Sequence, residues 1–111
     1  MRIEIHTKKV ELDESLRADI ARRLVAAIGR FEEFIRCVTV HLVNGNGVAG
    51  APLTRCRICV SLKSSGEVEI EDSDADLCTA TARATGRVGT AVVGELWRQR
   101  ESSRRSYGED E

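Results

Sequence analysis

The stretch that most constrains the fold is residues 12–35, which reads LDESLRADIARRLVAAIGRFEEFI. Its apolar residues recur at the spacing that places them on one side of a helix; they are Leu16, Ile20, Leu24, Ala27, Ile28, Phe31 and Ile35. Asp13 stands where an N-cap residue accepts hydrogen bonds from the first turn. The pattern predicts an amphipathic helix over residues 12–35 that covers another layer, with Phe31 and Phe34 anchoring its end.

Four other segments alternate apolar and polar residues with the period of a β-strand. They are residues 2–6, 37–43, 54–62 and 67–71. Between the second and third of these segments lies NGNGVAGAP, whose Gly and Asn residues indicate a mobile loop. Each predicted strand has one apolar face, as expected for a sheet that is covered on one side.

A second helix is predicted over residues 74–100, beginning at acidic residues that favour a helix N-terminus. Its apolar stripe consists of Leu77, Ala80, Ala84, Val88, Ala91 or Val92, and Leu96 or Trp97. Three glycines within it each cost about 1 kcal/mol relative to alanine, so packing must hold this helix. Residues 1–100 are predicted to form a single domain, and residues 101–111 a disordered polar tail.

The order of elements is therefore β-α-β-β-β-α. A right-handed crossover through the first helix places the first two strands side by side and parallel. The remaining strands follow one another closely and pair antiparallel. The predicted fold class is α+β: a two-layer domain with a four-stranded mixed sheet and two helices on one face.

Composition excludes several classes of function. Lys and Arg number 17 against 18 Asp and Glu, so no global field attracts nucleic acid and any such site must be a local basic face. Cys56 and Cys59 lie three positions apart on a strand and face opposite ways, so no metal or cofactor is expected. No segment is apolar enough to suggest a membrane span, and we expect a cytoplasmic protein.

No catalytic group is visible either. His6 and His41 lie on strands without a nucleophile or paired carboxylate nearby in the sequence, so the chain is not expected to be an enzyme. Glu67, Glu69 and Glu71 form an acidic row on the predicted open face of the sheet. That row repels RNA, so any RNA should meet the helices.

Three segments carry a resemblance to a known family: IEIHTKKVELDESLR (3–17), RFEEFI (30–35) and DADLCTA (74–80). In these segments, and in the order of its elements, the chain resembles the ribosome hibernation-promoting factors, also called ribosome-associated inhibitors or sigma-54 modulation proteins. The resemblance runs over residues 2–100. It implies a short family member that responds to stress by binding small-subunit rRNA near the decoding region and inhibiting or storing ribosomes.

The resemblance also implies that basic residues on the helix face bind phosphates. The candidate RNA-binding residues are Lys8, Arg22, Arg23, Arg30, Arg83, Arg87 and Arg98. Other positions where the family usually has Lys or Arg are uncharged here, namely Ala26, Gly29, Thr90, Val93 and Gly94. For Arg22, Arg23 and Arg30 the alternative is a solvated helix face with local ion pairs to Asp19 and Glu33.

A second hypothesis concerns the small residues of the second helix, which leave a smooth and nearly uncharged face. The candidate interface residues are Ala82, Gly86, Gly89, Thr90, Val93 and Trp97. Such a face favours close packing with a protein partner or a second copy of the chain, so the protein is then an interaction module without ribosome binding. Trp97 itself either stacks on a base beside Arg98 and Arg100 or caps the edge of the sheet.

Overall fold

The computed structural model describes residues 1–109, and side chains for residues 1–102. In chain order the regular elements are β1 (Arg2–Lys8), α1 (Glu14–Ile28), β2 (Ile35–Asn46), β3 (Pro52–Leu62), β4 (Glu67–Asp74) and α2 (Leu77–Glu109). Two short 3₁₀ helices, Gly29–Phe34 and Val48–Gly50, flank β2. The predicted α+β class and the β-α-β-β-β-α order are confirmed.

The sheet has the strand order β1-β2-β3-β4. β1 pairs with β2 in parallel, and the other two pairings are antiparallel, as predicted. Ile5, Val40, Ile58 and Ile70 stand side by side across all four strands, and they face the helices. The three glutamates of β4 are exposed on the other face, where Glu69 lies 3.7 Å from Arg57.

One hydrophobic core lies between the sheet and the helices. From α1 it takes Ile20, Leu24 and Ile28, and from α2 it takes Ala80, Ala84, Val88 and Val92. The structure also decides two positions of the α2 stripe for which the sequence left a choice. Val92 is buried and Leu96 is half-buried, whereas Trp97 is 58% exposed. The small Ala80 and Ala84 side chains face the sheet, so the helix axis can approach it closely.

The first helix is shorter than predicted. Asp13 is its N-cap and accepts a hydrogen bond from the Leu16 N–H at 2.7 Å, as predicted, but α1 ends at Ile28. The chain then tightens into a 3₁₀ helix at Gly29, a residue with low helix propensity, and Ile35 begins β2. Phe31 packs on the core, but Phe34 is 45% exposed, so the prediction that both residues anchor the helix end is wrong for Phe34.

The loop between β2 and β3 is also shorter than predicted. Strand pairing continues until Asn46 faces Pro52, which leaves five residues to turn the chain. Gly and Asn do not prevent this pairing because the ladder uses backbone groups only. The turn needs positive φ at Ala49 (57°) and Gly50 (77°).

The second helix begins at Leu77 and continues to Glu109, nine residues beyond the predicted end at Arg100. Asp76 accepts hydrogen bonds from the Thr79 N–H (3.0 Å) and hydroxyl (2.8 Å), which fixes the N-terminus. The extension has no apolar stripe but also no proline, and its polar residues are compatible with a helix. The tail prediction for residues 101–111 is therefore corrected over 101–109, where the chain is helical, while residues 110–111 lie outside the described residues.

Candidate nucleic-acid interface

A groove runs between α1 and α2, and we call it the helix groove. It has a volume of about 590 Å³ and is lined by Arg23, Ala26, Ala27, Arg30, Ala82, Thr85, Gly86, Gly89, Thr90 and Val93. Gly89 sets how close the two helices come, because a Cβ there would lie 3.1 Å from the Ala27 carbonyl oxygen. Thr85 is buried, and its hydroxyl donates to the Thr81 carbonyl oxygen at 2.8 Å, so this donor is not available to a ligand in the groove.

The two arginines in the middle of α1 share one carboxylate. Arg22 donates to Asp19 at 2.6 Å and Arg23 donates to its other oxygen at 2.9 Å. These two hydrogen bonds hold the pKa of the Asp19 carboxyl below its usual value of 3.8. Asp19 is therefore ionised at neutral pH, and the pair of arginines carries one net charge instead of two.

The three predicted cations of α2 point away from the helix groove, toward β4 or along their own helix. Arg83 contacts Asp74 at 3.1 Å, and Arg87 contacts Asp72 at 3.3 Å and the Glu71 carbonyl oxygen at 3.1 Å. Arg98 donates two hydrogen bonds to Glu95, at 2.8 and 3.1 Å. Each of these arginines is thus neutralised within the molecule.

Only Lys8 and Arg30, of the seven predicted RNA-binding residues, have no ion pair among the residues whose side chains are described. Lys8 is the last residue of β1, an edge strand of the sheet, and it is paired with Val43 of β2. Arg83 and Arg87 of α2 contact β4, which is the opposite edge strand. Four carboxylates pair with five of the seven cations, which leaves three formal positive charges. The structure does not bring the seven together into one basic patch.

The predicted interface residues divide into two groups. Ala82, Gly86, Gly89, Thr90 and Val93 all line the helix groove. Trp97 does not: it lies three residues beyond Gly94 and faces a different cavity at the end of the molecule. The small-residue surface and the tryptophan are therefore separate sites.

That second cavity, the end pocket, lies between the 3₁₀ helix after α1, the β3–β4 turn and α2. It has a volume of about 520 Å³ and is lined by Phe31, Phe34, Ser64, Leu96, Trp97, Gln99 and Arg100. The guanidinium of Arg30 lies 4.9 Å from the centre of the Phe31 ring, and that of Arg100 lies 5.7 Å from the centre of the Trp97 ring. Each cation is held against an aromatic face.

One wall of the end pocket is fixed by hydrogen bonds between distant parts of the chain. The Gln99 side chain accepts from the Ser64 hydroxyl at 2.7 Å and donates to the Ser65 carbonyl oxygen at 2.8 Å. The turn itself needs Gly66, whose φ is 85°. On the opposite side, the Lys63 N–H donates to the Phe34 carbonyl oxygen at 2.9 Å.

The sequence pattern does not predict this pocket, because Phe31 and Phe34 lie 66 and 63 positions before Trp97. Phe34 was expected to anchor the helix, and Ser64 and Gln99 were not predicted to meet. One signal is present in the sequence: an arginine stands beside Phe31, and another lies three positions after Trp97. Only the fold brings the Phe31 and Trp97 rings to one cavity.

The cysteine and histidine residues do not form a reactive centre with the groups around them. Burial raises the pKa of the Cys56 thiol to about 11, with Asp72 adding to the effect. Burial also raises the pKa of Cys59, so both thiols are protonated at neutral pH. His6 and His41 stack with ring centres 5.5 Å apart. In the described part of the chain, no three His, Cys, Asp or Glu side chains are grouped to hold a metal ion.

No protein-family model matches the chain, and no curated protein gives a significant match. Among solved structures, the N-terminal domain of Protein Y from Thermus thermophilus is 28% identical, with a TM-score of 0.64 over 81% of this chain and 93% of that domain. Within residues 1–109, no helix has the length and hydropathy needed to cross a membrane.

A ribosomal subunit interface protein from Coxiella burnetii has a TM-score of 0.69, over 86% of this chain and 98% of that one. Its identity is 12%, so it supports the fold alone. The structural neighbours thus confirm what the three sequence segments predict: this chain resembles the ribosome hibernation-factor family.

Proposed function

We propose that the protein is a non-enzymatic, ribosome-associated factor of the cytoplasm that binds small-subunit rRNA through its helix face and thereby inhibits translation or stores ribosomes. The observation that carries the proposal is the 28% identity to the Protein Y N-terminal domain, extending over 93% of that domain. Similarity at that level over nearly the whole domain supports a related role as well as a related fold.

The charge distribution favours the helix face over the open face of the sheet. Arg23 and Arg30 border the helix groove, whose lining includes no acidic residue, whereas the open face carries the exposed glutamates of β4 together with Arg55 and Arg57. Because phosphate is repelled by carboxylates and attracted by guanidinium groups, RNA meets the helices first. Six candidate arginines lie on the helix side of the molecule and four carboxylates pair with them, which leaves two net positive charges, so we expect about two effective phosphate contacts and a moderate dependence on salt.

The test is co-sedimentation of the purified protein with small ribosomal subunits across a series of salt concentrations. We expect saturable binding whose log affinity falls against log salt concentration with a slope of about −2, much shallower than the slope of about −10 for a highly charged binder. Binding should weaken when Arg23 and Arg30 are both replaced by Gln. Absence of binding at low salt would exclude the proposal.

A second candidate is a protein-interaction or dimerisation module that uses the helix groove without ribosome binding. It is favoured by the lining of the groove, in which eight of the ten residues are uncharged and mostly small. Sedimentation equilibrium of the protein alone distinguishes the two. A concentration-dependent dimer that Gly86→Glu disrupts, together with no affinity for ribosomal subunits, would favour this candidate.

A further inference from the structure

We propose that the end pocket is a binding site for an unpaired base of single-stranded RNA, with the base stacked on Trp97 and the flanking phosphates bound by Arg30, Lys63 and Arg100. The lining of this pocket differs from that of the helix groove, although Arg30 borders the groove and reaches the Phe31 ring of the pocket. The proposal does not depend on ribosome association, because it rests on the chemistry of the pocket alone.

Two aromatic rings of the end pocket are exposed to solvent. Trp97 is 58% exposed and Phe34 is 45% exposed, although Leu96 beside them packs against the core. Leaving such large apolar surfaces in water is unfavourable, and neither ring is needed to complete the core. Aromatic faces presented to solvent are the surfaces on which unpaired bases stack, with each stacked base contributing about 1–3 kcal/mol.

The cations near the pocket are available to bind a phosphate. Arg30 and Arg100 lie over aromatic rings, and Lys63 adjoins Phe34 through its backbone N–H. None of the three has an ion pair among residues 1–102. The arginines of α2 that point toward β4 are by contrast all paired with carboxylates. A phosphodiester can therefore approach this end of the molecule without first displacing an acidic side chain.

The end pocket is formed in the absence of a ligand. Its volume of about 520 Å³ lies within the range of ordinary small-ligand sites, and one nucleotide fits that space. The Ser64–Gln99 and Gln99–Ser65 hydrogen bonds hold the β3–β4 turn against α2. Because this wall is fixed before binding, little conformational entropy is lost when a base enters.

The pairing of aromatic rings with unneutralised cations favours RNA over a hydrophobic segment of a protein. An apolar helix or strand placed in the pocket would cover Trp97 and Phe34, but it would leave the three cations beside an interface that offers them no counter-charge. A nucleotide satisfies both features together, since it combines an aromatic base with a phosphate. Sites for single-stranded nucleic acid combine the same two elements.

The experiment uses Trp97 as its own reporter, because it is the only tryptophan in the chain. A single-stranded RNA of about eight nucleotides is titrated into the full-length protein while tryptophan fluorescence is followed, and the same RNA carrying a terminal dye is followed by anisotropy. We expect saturable quenching with the same midpoint as the anisotropy change. A double-stranded RNA of the same sequence should quench far less, because its bases are already stacked.

The variants are Trp97→Leu, Arg100→Gln and the control Arg55→Gln. Arg55 is an exposed cation on the open face of β3, without an ion pair in the described side chains and outside both cavities. By anisotropy we expect Trp97→Leu to weaken binding about tenfold, Arg100→Gln about fivefold, and Arg55→Gln less than about twofold. Because all three side chains are exposed, the folded state should be retained, and circular dichroism confirms it.

Three results would overturn the proposal. The first is RNA binding without quenching of Trp97, which would place the RNA elsewhere. The second is an equal loss of affinity in Arg55→Gln and Arg100→Gln, which would indicate diffuse charge attraction. The third is no RNA binding together with a dimer that Trp97→Leu abolishes, which would assign the pocket to a protein contact. If the unmodified protein binds the short RNA but not small ribosomal subunits, that result would count against the proposed function only.

Discussion

The helix groove and the end pocket are both built on α2, and both are bordered by arginines, but their cations are in different states. In the groove, Arg23 shares the Asp19 carboxylate with Arg22. At the end pocket, Arg100 lies over the Trp97 ring and has no ion pair among the described side chains; Arg30 lines the groove, is likewise without an ion pair there, and lies over the Phe31 ring of the pocket. The groove is lined by small residues, whereas the pocket has two large exposed rings.

The difference shows that the number of basic residues on a face does not measure its capacity to bind phosphate. An exposed ion pair contributes little to stability, yet it halves or cancels the field of the arginine that forms it. A phosphate must compete with that carboxylate. The positions of Asp19, Asp72, Asp74 and Glu95 therefore decide which arginines remain available to a phosphate.

The largest expected effect concerns the core beneath the two sites. Leu24 is fully buried under the helix groove, whereas Leu96 is half-buried beside the end pocket. We expect Leu24→Ala to lower the free energy of unfolding by about 2–5 kcal/mol through lost burial and a cavity. Leu96→Ala should cost about half as much. Urea unfolding followed by circular dichroism measures both, and equal losses would contradict the difference in burial.

The next effect separates a free cation from a paired one. We expect Arg30→Gln to weaken binding to small ribosomal subunits about tenfold, since a charge-assisted contact to phosphate is lost outright. Arg83→Gln should weaken the same binding less than about twofold, because the charge of Arg83 is already neutralised by its ion pair with Asp74. Co-sedimentation gives both affinities. The distinction between free and paired cations fails if Arg83→Gln has the larger effect.

A third substitution would make the helix groove more like the end pocket. Asp19→Asn removes the carboxylate that Arg22 and Arg23 share, so both guanidinium groups become available. We expect the salt slope of ribosomal-subunit binding to steepen by about one unit. As a matched change, Glu14→Gln removes an exposed carboxylate from the first turn of the same helix. If both variants steepen the slope equally, net charge and not ion pairing controls binding.

A smaller effect comes from the glycines that line the groove. A Cβ at Gly86 meets nothing within 4 Å, so Gly86→Ala should raise the free energy of unfolding by about 0.5–1 kcal/mol through helix propensity. At Gly89 the same Cβ would lie 3.1 Å from the Ala27 carbonyl oxygen. Gly89→Ala should therefore stabilise less than Gly86→Ala, or destabilise. The reverse order in urea unfolding would show that α1 and α2 are not in close contact there.

The smallest effect is a dependence of stability on pH. Hydrogen bonds from Arg22 and Arg23 lower the pKa of Asp19 in the folded state. Its contribution is therefore present above the unfolded-state value of about 3.8 and is lost as pH falls through the lower folded-state pKa. We expect the stability difference between the wild type and Asp19→Asn to shrink on acidification below pH 4. A difference that persists at the lowest pH would mean that charge is not its cause.

Much of the fold follows from the sequence alone. The alternation in residues 37–43 and 54–62 predicts which side chains face the core, since the two-residue period of a strand leaves only one apolar face. The N-cap role of Asp13 and the order of the six elements also follow from local chemistry. These features depend on contacts within a few residues, and such contacts are visible in the sequence.

The residues at which the helices and strands begin and end do not follow from the local sequence. Helical spacing of apolar residues continues past Ile28, but the chain must turn there to place Ile35 at the start of β2. The pairing of Asn46 with Pro52 depends on the neighbouring strand and not on the propensity of Gly and Asn. Polarity alone likewise did not predict that α2 continues beyond Arg100.

The sequence by itself determined the secondary-structure periods, the mixed sheet and the family resemblance, because these rest on patterns that recur along the chain. Only the tertiary structure decided which arginines are neutralised, since Arg83 and Arg87 reach carboxylates of β4 across 9 and 15 positions. It also brought Phe34, Ser64 and Trp97 to one pocket from three elements. Long-range contacts decide these points, and the free energy of such contacts belongs to the packed fold and not to any one segment.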